Sequence, residues 1–538
     1  MIKIKHENDV KEFEKGTTYH QICKTFGFDG DVIACKVESI VTSLSEKALY
    51  DEEIQVIRKN SFDGRVMFKN ALKFIFITAM KEMFPKAIVS FEHSVPGGMM
   101  AEITNIPILS NSDFLQIKEK IKALILEDDK FIHNMVRKKE GIILYNKTKE
   151  FEKANNITNI IDNAISIYKY RENFNYFYSE LPYSAGVIDN YDVVYLGKNK
   201  FVFVLPDLNG NPTSYIHHEK IIESFQKKND WLMKQKTPYF EDLNLLVGNS
   251  KIKKFIDSNE IYFNFEIQKV VDKIIENKNN KIIMLAGPSS SGKTTTSKVL
   301  SNYLNAMGYE TAVISTDDYY LSREFMTDND YEKLEALDLE HFNKDLDSLI
   351  KGETVKVPKY NFVTGKKEEG DKELTAGENT YIIIEGLHSL NDKLTNYNYQ
   401  DIKYKIYLSP FTSINIDRHN YVSTIDLRLI RRIVRDNRTR GYGVAKTIHN
   451  WQTVRDGEEK HIFPFINEAD SIINTALEFE LGVLKVYVEP LLLSVSVSSQ
   501  YYAEARRLLS FLKQFFPISS KYVHDDSILR EFIGGRYE

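Results

Sequence analysis

The feature that most constrains the fold is the segment KIIMLAGPSSSGKTTTSKVL at residues 281–300. Its short apolar run predicts a buried strand, and the residues from Lys293 onward predict a helix. Between them, GPSSSGKT at residues 287–294 matches the pattern G-x-x-x-x-G-K-[ST], in which glycines let successive backbone N–H groups point at a phosphate. The sequence therefore predicts a nucleoside-triphosphate site between a strand and a helix.

The residue types in this loop indicate how it would hold its ligand. The Lys293 ammonium can reach the β- and γ-phosphates, and the Thr294 hydroxyl can bind Mg²⁺. We therefore predict ATP or GTP as the phosphoryl donor and Mg²⁺ as the cofactor. The predicted nucleotide-binding residues are Gly287, Ser289, Ser290, Ser291, Gly292, Lys293, Thr294 and Thr295. The structural alternative is a serine- and glycine-rich turn before a capped helix.

Acidic residues follow the next two predicted strands. TAVIST leads into Asp317 and Asp318, and YIIIEG contains Glu385 near its end. Because ligands gather at the carboxyl ends of parallel strands, we expect these carboxylates beside the phosphate loop. Asp317 can there accept the proton of an attacking hydroxyl or hold the Mg²⁺ shell, and Glu385 is suited to Mg²⁺. The alternative role for each acid is to cap a helix.

The segment DLRLIRRIVRDNRTRG at residues 426–441 predicts a helix with a cationic stripe. Arg428, Arg431 or Arg432, and Arg435 recur at helical spacing and share one face, and two more arginines follow at positions 438 and 440. Most charged stripes are solvated faces. Arginine rather than lysine, in a chain rich in lysine, favours bidentate contacts with phosphate.

Composition limits the class of protein. The chain has 538 residues, enough for three or four domains, with 42% hydrophobic and 27% charged residues and a formal net charge of −5. Cys23 and Cys35 are too few for a disulfide framework or a thiolate zinc site. The most apolar late stretch is too short to span a bilayer. We therefore expect a cytoplasmic protein with no membrane partner.

The pattern of apolar residues predicts four regions along the chain. The first fifty residues suggest strand, helix and strand, and residues from about 61 to 233 mix helices with strands, including a hairpin in VVYLGKNKFVFV. Farther on, apolar strands alternate with helices, which indicates a parallel sheet covered on both faces. The predicted boundaries are 1–55 and 56–235 for two α+β domains, 236–260 for a linker, and 261–538 for an α/β domain with a carboxy-terminal extension.

The motifs of the carboxy-terminal part, taken in order, carry a resemblance. GPSSSGKTT, STDDYY, VKVPKYNFVTGKK, IIIEGLHSL and DLRLIRRIVRDNRTRG resemble the uridine kinase and phosphoribulokinase group of P-loop kinases, over residues 281 to about 475. The resemblance implies ATP-dependent phosphorylation of a sugar hydroxyl, usually the 5′ hydroxyl of a nucleoside such as uridine or cytidine. It implies that Asp317 is the catalytic base and that Lys293 and Arg431 act with it.

The same resemblance implies residues that bind the acceptor. Tyr320 and Tyr360 match positions that line the nucleoside site. Arg428 and Arg431 match lid arginines that hold the substrate and the transferring phosphate.

Two departures from the family pattern concern the acceptor. The segment that usually has the sequence FDHPDAFD is here ALDLEHFN, so we expect Glu340 to bind the ribose, with Asp338 as the alternative. Gly365 stands where the family commonly places a histidine that recognises the pyrimidine. A kinase of another small hydroxyl compound is therefore a second hypothesis.

The amino-terminal half carries a resemblance of its own. Residues 1 to about 50 resemble the small TGS domain, and FKNALKFIFITAMKEMFPKAIVSFEHSVPGGMMAEI is similar to the editing-type second domain of threonyl-tRNA synthetase. That domain holds its site together with a His-x-x-x-His pair and a later Cys/His pair. Neither pair is present, which argues against editing hydrolysis. For the adjacent His217 and His218 we expect a surface or capping role rather than a metal site.

We expect the amino-terminal half to be a binding or regulatory module. A third hypothesis is an RNA-linked regulator, in which this half binds RNA and the nucleotide-binding fold drives or senses that binding. The acidic balance and the lack of a basic aromatic platform argue against a nucleic-acid partner. The sequence does not decide between a monomer and a homo-oligomer.

Overall fold

The computed structural model of the chain describes residues 1–28, 30–207, 209–326 and 331–535. Its first unit is a five-stranded sheet packed on one helix. The elements are β1 (Ile2–His6), β2 (Asp9–Phe13), α1 (Tyr19–Thr25), β3 (Val32–Val37), β4 (Ile40–Ser43) and β5 (Glu52–Arg58). The strand order is β2-β1-β5-β3-β4, with β1 and β5 parallel. The predicted strand, helix and strand are present as β1, α1 and β3, and β2, β4 and β5 complete the sheet.

The second unit combines helices with two antiparallel sheets. Its elements are α2 (Phe62–Met83), β6 (Ile88–Val95), β7 (Gly98–Thr104), α3 (Asn111–Glu127), β8 (Ile132–Arg137), α4 (Lys138–Lys147), α5 (Phe151–Asn159), β9 (Ala164–Tyr170), β10 (Asn173–Asn175), β11 (Asp192–Gly197) and β12 (Lys200–Val204). The sheets have the orders β11-β12-β7-β6 and β10-β9-β8. The predicted hairpin is confirmed, because β11 and β12 pair antiparallel around residues 198 and 199.

Three helices lead from this unit into the carboxy-terminal part: α6 (Glu219–Gln235), α7 (Phe240–Gly248) and α8 (Ile252–Glu276). The segment 236–260 is therefore largely helical, whereas its sequence suggests an irregular connection. Phe240, Leu243 and Phe255 from this segment are buried in the same hydrophobic core as Ile283 and Ile406 of the carboxy-terminal part. Tertiary packing explains the difference, since short helices are stabilised mainly by burying one apolar face.

The carboxy-terminal part is built on a parallel sheet. Its elements are β13 (Ile282–Ala286), α9 (Lys293–Ala306), β14 (Glu310–Ser315), α10 (Leu339–Ile350), β15 (Val355–Asn361), β16 (Lys366–Leu374), β17 (Thr380–Gly386), β18 (Lys403–Ser409), α11 (Thr424–Arg440), α12 (Val444–His461), β19 (Ser471–Asn474), α13 (Glu480–Leu493), α14 (Tyr502–Leu512) and α15 (Arg530–Ile533). The sheet order is β14-β17-β13-β18-β19, and β15 and β16 form a separate hairpin. The buried strands β13 and β17 confirm the predicted α/β class.

One loop of the carboxy-terminal part, residues 410–423 between β18 and α11, is anchored in the second unit. Asp417 accepts a hydrogen bond from the Tyr176 hydroxyl at 2.7 Å, and Arg418 pairs with Glu152 at 2.8 Å. The Phe91 amide donates to the Arg418 carbonyl oxygen at 2.7 Å. Because this loop leads directly into α11, the position of that helix depends on contacts with the amino-terminal half.

The described residues contain no helix long and apolar enough to cross a membrane. Both cysteines are buried as free thiols.

We predict that Gly386→Ala destabilises the sheet at its carboxyl edge. A Cβ at position 386 would lie 1.8 Å from the buried Thr316 Oγ1, so the substitution forces a shift that costs about 1–3 kcal/mol. Gly248→Ala is the matched control, because a Cβ there meets open space at the end of α7. The midpoint of thermal unfolding of both variants measures this loss of stability. An unchanged midpoint for Gly386→Ala would contradict the close packing of Gly386 on β17 against Thr316.

Candidate active site

The phosphate loop, residues 287–292, joins β13 to α9 at the carboxyl edge of the sheet. Gly292 has a φ of 88°, which favours glycine, and a Cβ at Gly287 would lie 2.6 Å from the Leu408 carbonyl oxygen on the neighbouring strand. Helix α9 begins at Lys293, so its first unpaired N–H groups face the loop. The loop thus has the predicted position between a strand and a helix.

Oxygen and nitrogen groups of three elements converge at this loop. Lys293 Nζ donates to two loop carbonyls at 2.9 and 3.3 Å. The exposed Thr294 donates its hydroxyl hydrogen bond to Glu385 Oε1 on β17 at 3.2 Å. Burial raises the pKa of Glu385 to about 7, the charge of Asp317 adds to this rise, and Lys293 opposes it. The ammonium, hydroxyl and carboxylate groups predicted from the sequence are therefore neighbours.

Asp317 and Asp318 lie in the 3-10 turn Thr316–Tyr319, directly after β14. The preceding Ser315 is opposite Glu385 in the parallel pairing of β14 with β17. This register brings Asp317 to the same edge as the phosphate loop, as expected. Burial, and then the charge of Asp317, raise the pKa of the Asp318 carboxyl.

Arg428 and Glu458 bind the backbone of the phosphate loop. Both side chains are buried, and the Arg428 guanidinium forms a two-pronged ion pair with the Glu458 carboxylate, one prong at 2.9 Å. Arg428 Nε also donates to the Ser289 carbonyl oxygen at 2.8 Å, and the Ser289 N–H donates to Glu458 Oε1 at 3.1 Å. The pair therefore binds both backbone groups of one loop residue.

Arg431 supports the next part of the loop in a similar way. It is fully buried, pairs with Glu480 at 2.6 and 2.8 Å, and donates to the Thr475 carbonyl oxygen at 2.8 Å. The Thr475 hydroxyl donates to the Ser291 carbonyl oxygen at 2.6 Å. The helical spacing correctly predicts that Arg428 and Arg431 share one face. Their predicted contact with substrate stays a prediction, and in this structure that face supports the loop.

Two other arginines of α11 contact the phosphate loop and the aromatic residues near it. Arg432 Nη1 donates to Ser289 Oγ at 2.7 Å. The Arg440 guanidinium lies 5.5 Å from the centre of the Phe362 ring. Burial lowers the pKa of Arg440, and the negative charge of Asp317 opposes that shift. Arg440 is therefore near both the predicted base and the aromatic residues described next.

Aromatic side chains form one wall beyond Asp317. The Tyr320 ring lies 5.5 Å from the Tyr360 ring, and Tyr360 lies 5.0 Å from Phe362. The Tyr331 and Tyr360 hydroxyls are hydrogen-bonded at 2.9 Å, and the Tyr320 hydroxyl donates to the Tyr331 carbonyl oxygen. The structure thus brings Tyr320 and Tyr360 together, although the resemblance placed them in separate motifs.

The two candidate acids for the ribose differ in their surroundings. Glu340 is exposed in the first turn of α10. Asp338 caps that helix and pairs with Lys367 Nζ at 2.8 Å. Gly365 has a φ of 70°, and a Cβ there would lie 2.9 Å from Arg323 Cζ. The position expected to recognise a pyrimidine is therefore a left-handed turn beside a guanidinium group.

Three acids near the loop were not found from the sequence: Glu458, Glu332 and Glu531. Burial and the charge of Glu458 raise the pKa of Glu332 to about 8. Glu531 of α15 accepts a hydrogen bond from the Thr295 hydroxyl at 2.8 Å, so the carboxy-terminal segment reaches the loop. No motif marks these acids, because their importance comes from contacts between distant parts of the chain.

The adjacent histidines differ in their surroundings. His217 lies at the surface as expected, whereas the His218 side chain is buried and forms no capping hydrogen bond although the residue stands at the N-cap of α6. His217 is exposed and lies 2.5 Å from Glu219, and His218 is buried against Asn467 at 2.8 Å. Within the described ranges, no group of three or more His, Cys, Asp or Glu residues is arranged to hold a metal ion.

Comparison with known proteins gives similarities to the carboxy-terminal part. Residues 282–480 match the Phosphoribulokinase / Uridine kinase family. A uridine kinase of Macrococcus caseolyticus is 35% identical over 200 residues, which cover 36% of this chain and 86% of that protein. A uridine kinase of Staphylococcus aureus is 29% identical over 203 residues, which cover 36% of this chain and 88% of that protein. The solved structure of a possible uridine kinase from Bacillus stearothermophilus is 19% identical, covers 38% of this chain and 96% of that chain, and has a TM-score of 0.27.

We predict that Glu458→Gln destabilises the protein by about 3 kcal/mol and weakens nucleotide binding. The substitution leaves the buried Arg428 guanidinium without its carboxylate and alters the contact with the Ser289 N–H. Glu459→Gln is the matched control, since Glu459 forms a more exposed pair with Arg455, of a kind that contributes at most ~1 kcal/mol.

Thermal unfolding and titration with an ATP analogue measure the two effects. Equal behaviour of the two variants would contradict the role assigned to the buried pair.

Proposed function

The chain belongs to the phosphoribulokinase and uridine kinase family through residues 282–480, which have the P-loop kinase fold, and we propose that it phosphorylates the 5′ hydroxyl of a nucleoside. The proposed donor is ATP, with GTP as the alternative, and the proposed acceptor is uridine or cytidine. The observation that carries the proposal is the convergence of Lys293, Thr294, Glu385 and Asp317 at one mouth of the phosphate loop.

The loop geometry supports binding of the donor phosphates. The N-terminal amides of α9 and the Lys293 ammonium present positive charge where the β- and γ-phosphates would lie. The proposed donor-binding residues are those of the loop together with Thr294 and Thr295. Because Lys293 now bonds to loop carbonyls, its ammonium exchanges these partners for phosphate oxygens on binding.

The site also fits Mg²⁺. The Thr294 hydroxyl and the buried Glu385 carboxylate are oxygen donors 3.2 Å apart, and Mg²⁺ commonly binds through one or two protein groups together with substrate phosphates. A bound Mg²⁺ ion would neutralise negative charge that develops on the phosphates. Glu385 is buried, so water hydrates its carboxylate only incompletely. A bound cation would compensate for this lost hydration.

Asp317 is the proposed general base. Its charge acts both on Glu385 beside the phosphate loop and on Tyr320 of the aromatic wall, and from there it would take the proton of the acceptor hydroxyl as that oxygen attacks the γ-phosphorus. The bond from the γ-phosphorus to the bridging oxygen breaks, and the nucleoside diphosphate leaves. Lys293, Arg432 and Arg440 are proposed to stabilise the negative charge of the transition state. Arg428 and Arg431 hold the loop in place.

The aromatic wall suits a planar base. Phe362 is exposed and offers a ring surface of the kind that stacks on nucleobases, and the buried Tyr320 and Tyr360 rings pack around it, which supports a nucleoside acceptor. For the ribose we propose Glu340, with Asp338 as the alternative. The Arg323 guanidinium beside Gly365 favours an acceptor with a carbonyl or anionic group at that side, so another small hydroxyl compound is the second candidate.

The amino-terminal half is proposed to be a regulatory or binding module with a TGS-like domain at 1–55 and a synthetase-like domain at 56–235. The parallel pairing of β1 with β5 in a sheet of order β2-β1-β5-β3-β4 supports the first assignment. The proposed kinase domain covers 261–538, after a connection at 236–260. Buried free thiols suit a reducing cytoplasm. An RNA-linked role is the third candidate, and a low-salt gel-shift assay with RNA tests it.

We predict that Asp317→Asn lowers turnover with uridine by roughly 10²–10⁴-fold while leaving the affinity for Mg·ATP nearly unchanged, because the amide cannot accept the hydroxyl proton. Asp318→Asn is the matched control, since it makes the same side-chain change at the next residue of the same turn. Steady-state kinetics and calorimetric titration with an ATP analogue separate the two effects. Normal turnover of Asp317→Asn would remove Asp317 from the base role.

A further inference from the structure

A cavity of about 480 Å³ lies where the amino-terminal half meets the carboxy-terminal helices. It is bounded by β4 and α2, by residues 157–166 and 176–180 of the second unit, and by helix α14. No residue of the phosphate loop lines it, so it is separate from the proposed active site. Its volume is in the range of small-molecule sites, which often form at boundaries between domains.

The two sides of this cavity differ in polarity. Met67, Ile157 and Ile165 are buried side chains that line the side formed by the amino-terminal half. On the opposite side, Arg506 and Ser510 of α14 are exposed and lie four residues apart, on one face of the helix. A ligand that matches both sides has an apolar body and a polar end directed towards α14.

Most charges around the cavity already have a partner. Arg507 is bound by Asp426 and Glu504, with contacts from 2.6 to 3.0 Å. Asp63 forms an ion pair with Lys36 at 2.6 Å, and Asp162 forms one with Lys513 at 2.7 Å. Glu180 accepts a hydrogen bond from the Tyr168 hydroxyl.

Arg506 is the exception on the α14 side. Its guanidinium lies 6.0 Å from the centre of the Tyr502 ring and forms no ion pair with any residue in the described ranges. An exposed guanidinium group without a carboxylate partner, at the edge of a mainly apolar cavity, can donate two parallel hydrogen bonds to an anionic group whose apolar body lies in the cavity. We propose that this cavity binds an amphipathic organic anion, with its apolar body against the amino-terminal half and its anionic group on Arg506.

The test uses 8-anilinonaphthalene-1-sulfonate and the full-length protein. We expect saturable binding of one molecule per chain, followed by fluorescence and by calorimetry. N-phenyl-1-naphthylamine, which has the same rings without the sulfonate, should bind roughly tenfold more weakly, which corresponds to about 1.4 kcal/mol, because it cannot form the charged hydrogen bond with Arg506. Arg506→Glu should remove this preference for the anion. Arg506→Lys, which keeps the charge, should retain most of it.

Two further variants make the result specific to the cavity. Ser510→Trp fills the space beside Arg506 from an exposed position and should prevent binding of both ligands. Lys521→Glu changes an exposed charge of the same extension away from the cavity and should leave binding unchanged. The proposal is overturned if no single saturable site is found, or if Lys521→Glu weakens binding as much as Arg506→Glu. Neither readout depends on kinase activity.

Discussion

The buried ion pair between Arg428 and Glu458 is the interaction on which the proposed active site depends. A phosphate loop must keep its backbone amides pointed inward although the loop has few side chains of its own to pack. Here the pair binds the N–H and the carbonyl oxygen of Ser289 together, and Arg431 reinforces the next turn through Glu480 and Thr475. Two desolvated charges are costly, so the pair is better understood as fixing geometry than as a source of stability.

This arrangement links the loop to distant parts of the chain. Helix α11, which carries both arginines, follows a loop anchored in the amino-terminal half by Arg418 and Asp417. The same helix is held at its first turn by the contact of Asp426 with Arg507 on α14. The carboxy-terminal segment reaches the phosphate loop through Glu531. The part of the chain that matches the kinase family, residues 282–480, is thus supported on two sides by segments outside that match.

Features of the site that arise from contiguous sequence could be predicted, whereas contacts between residues distant in the sequence could not. The phosphate loop, its flanking elements and the edge position of Asp317 follow from a contiguous motif and from the rule for parallel strands. Helical spacing correctly places Arg428 and Arg431 on one face, but spacing does not tell which neighbour that face meets. Their partners Glu458 and Glu480 lie 30 and 49 residues away in the sequence.

The same limit applies to burial. Glu332 has no motif, and its raised pKa arises from enclosure that only the folded chain creates. Helix α7 and the first part of α8 lie in a segment whose apolar residues have weak helical periodicity, because their stability comes from packing in the core. The sequence shows that Gly365 departs from the family pattern. It does not show that Arg323 lies beside Gly365, because the two residues are far apart in the sequence and only the fold brings them together.

The most direct test of the account is Mg²⁺- and ATP-dependent turnover by the purified protein against nucleosides, sugars and inositols, with Lys293→Ala as the blank. The account predicts lysine-dependent formation of the monophosphate of uridine or cytidine. Lysine-dependent phosphorylation of a non-nucleoside would contradict the proposed acceptor but would agree with the proposed kinase reaction. Absence of phosphorylation across the panel, or equal product from Lys293→Ala, would contradict the kinase function itself.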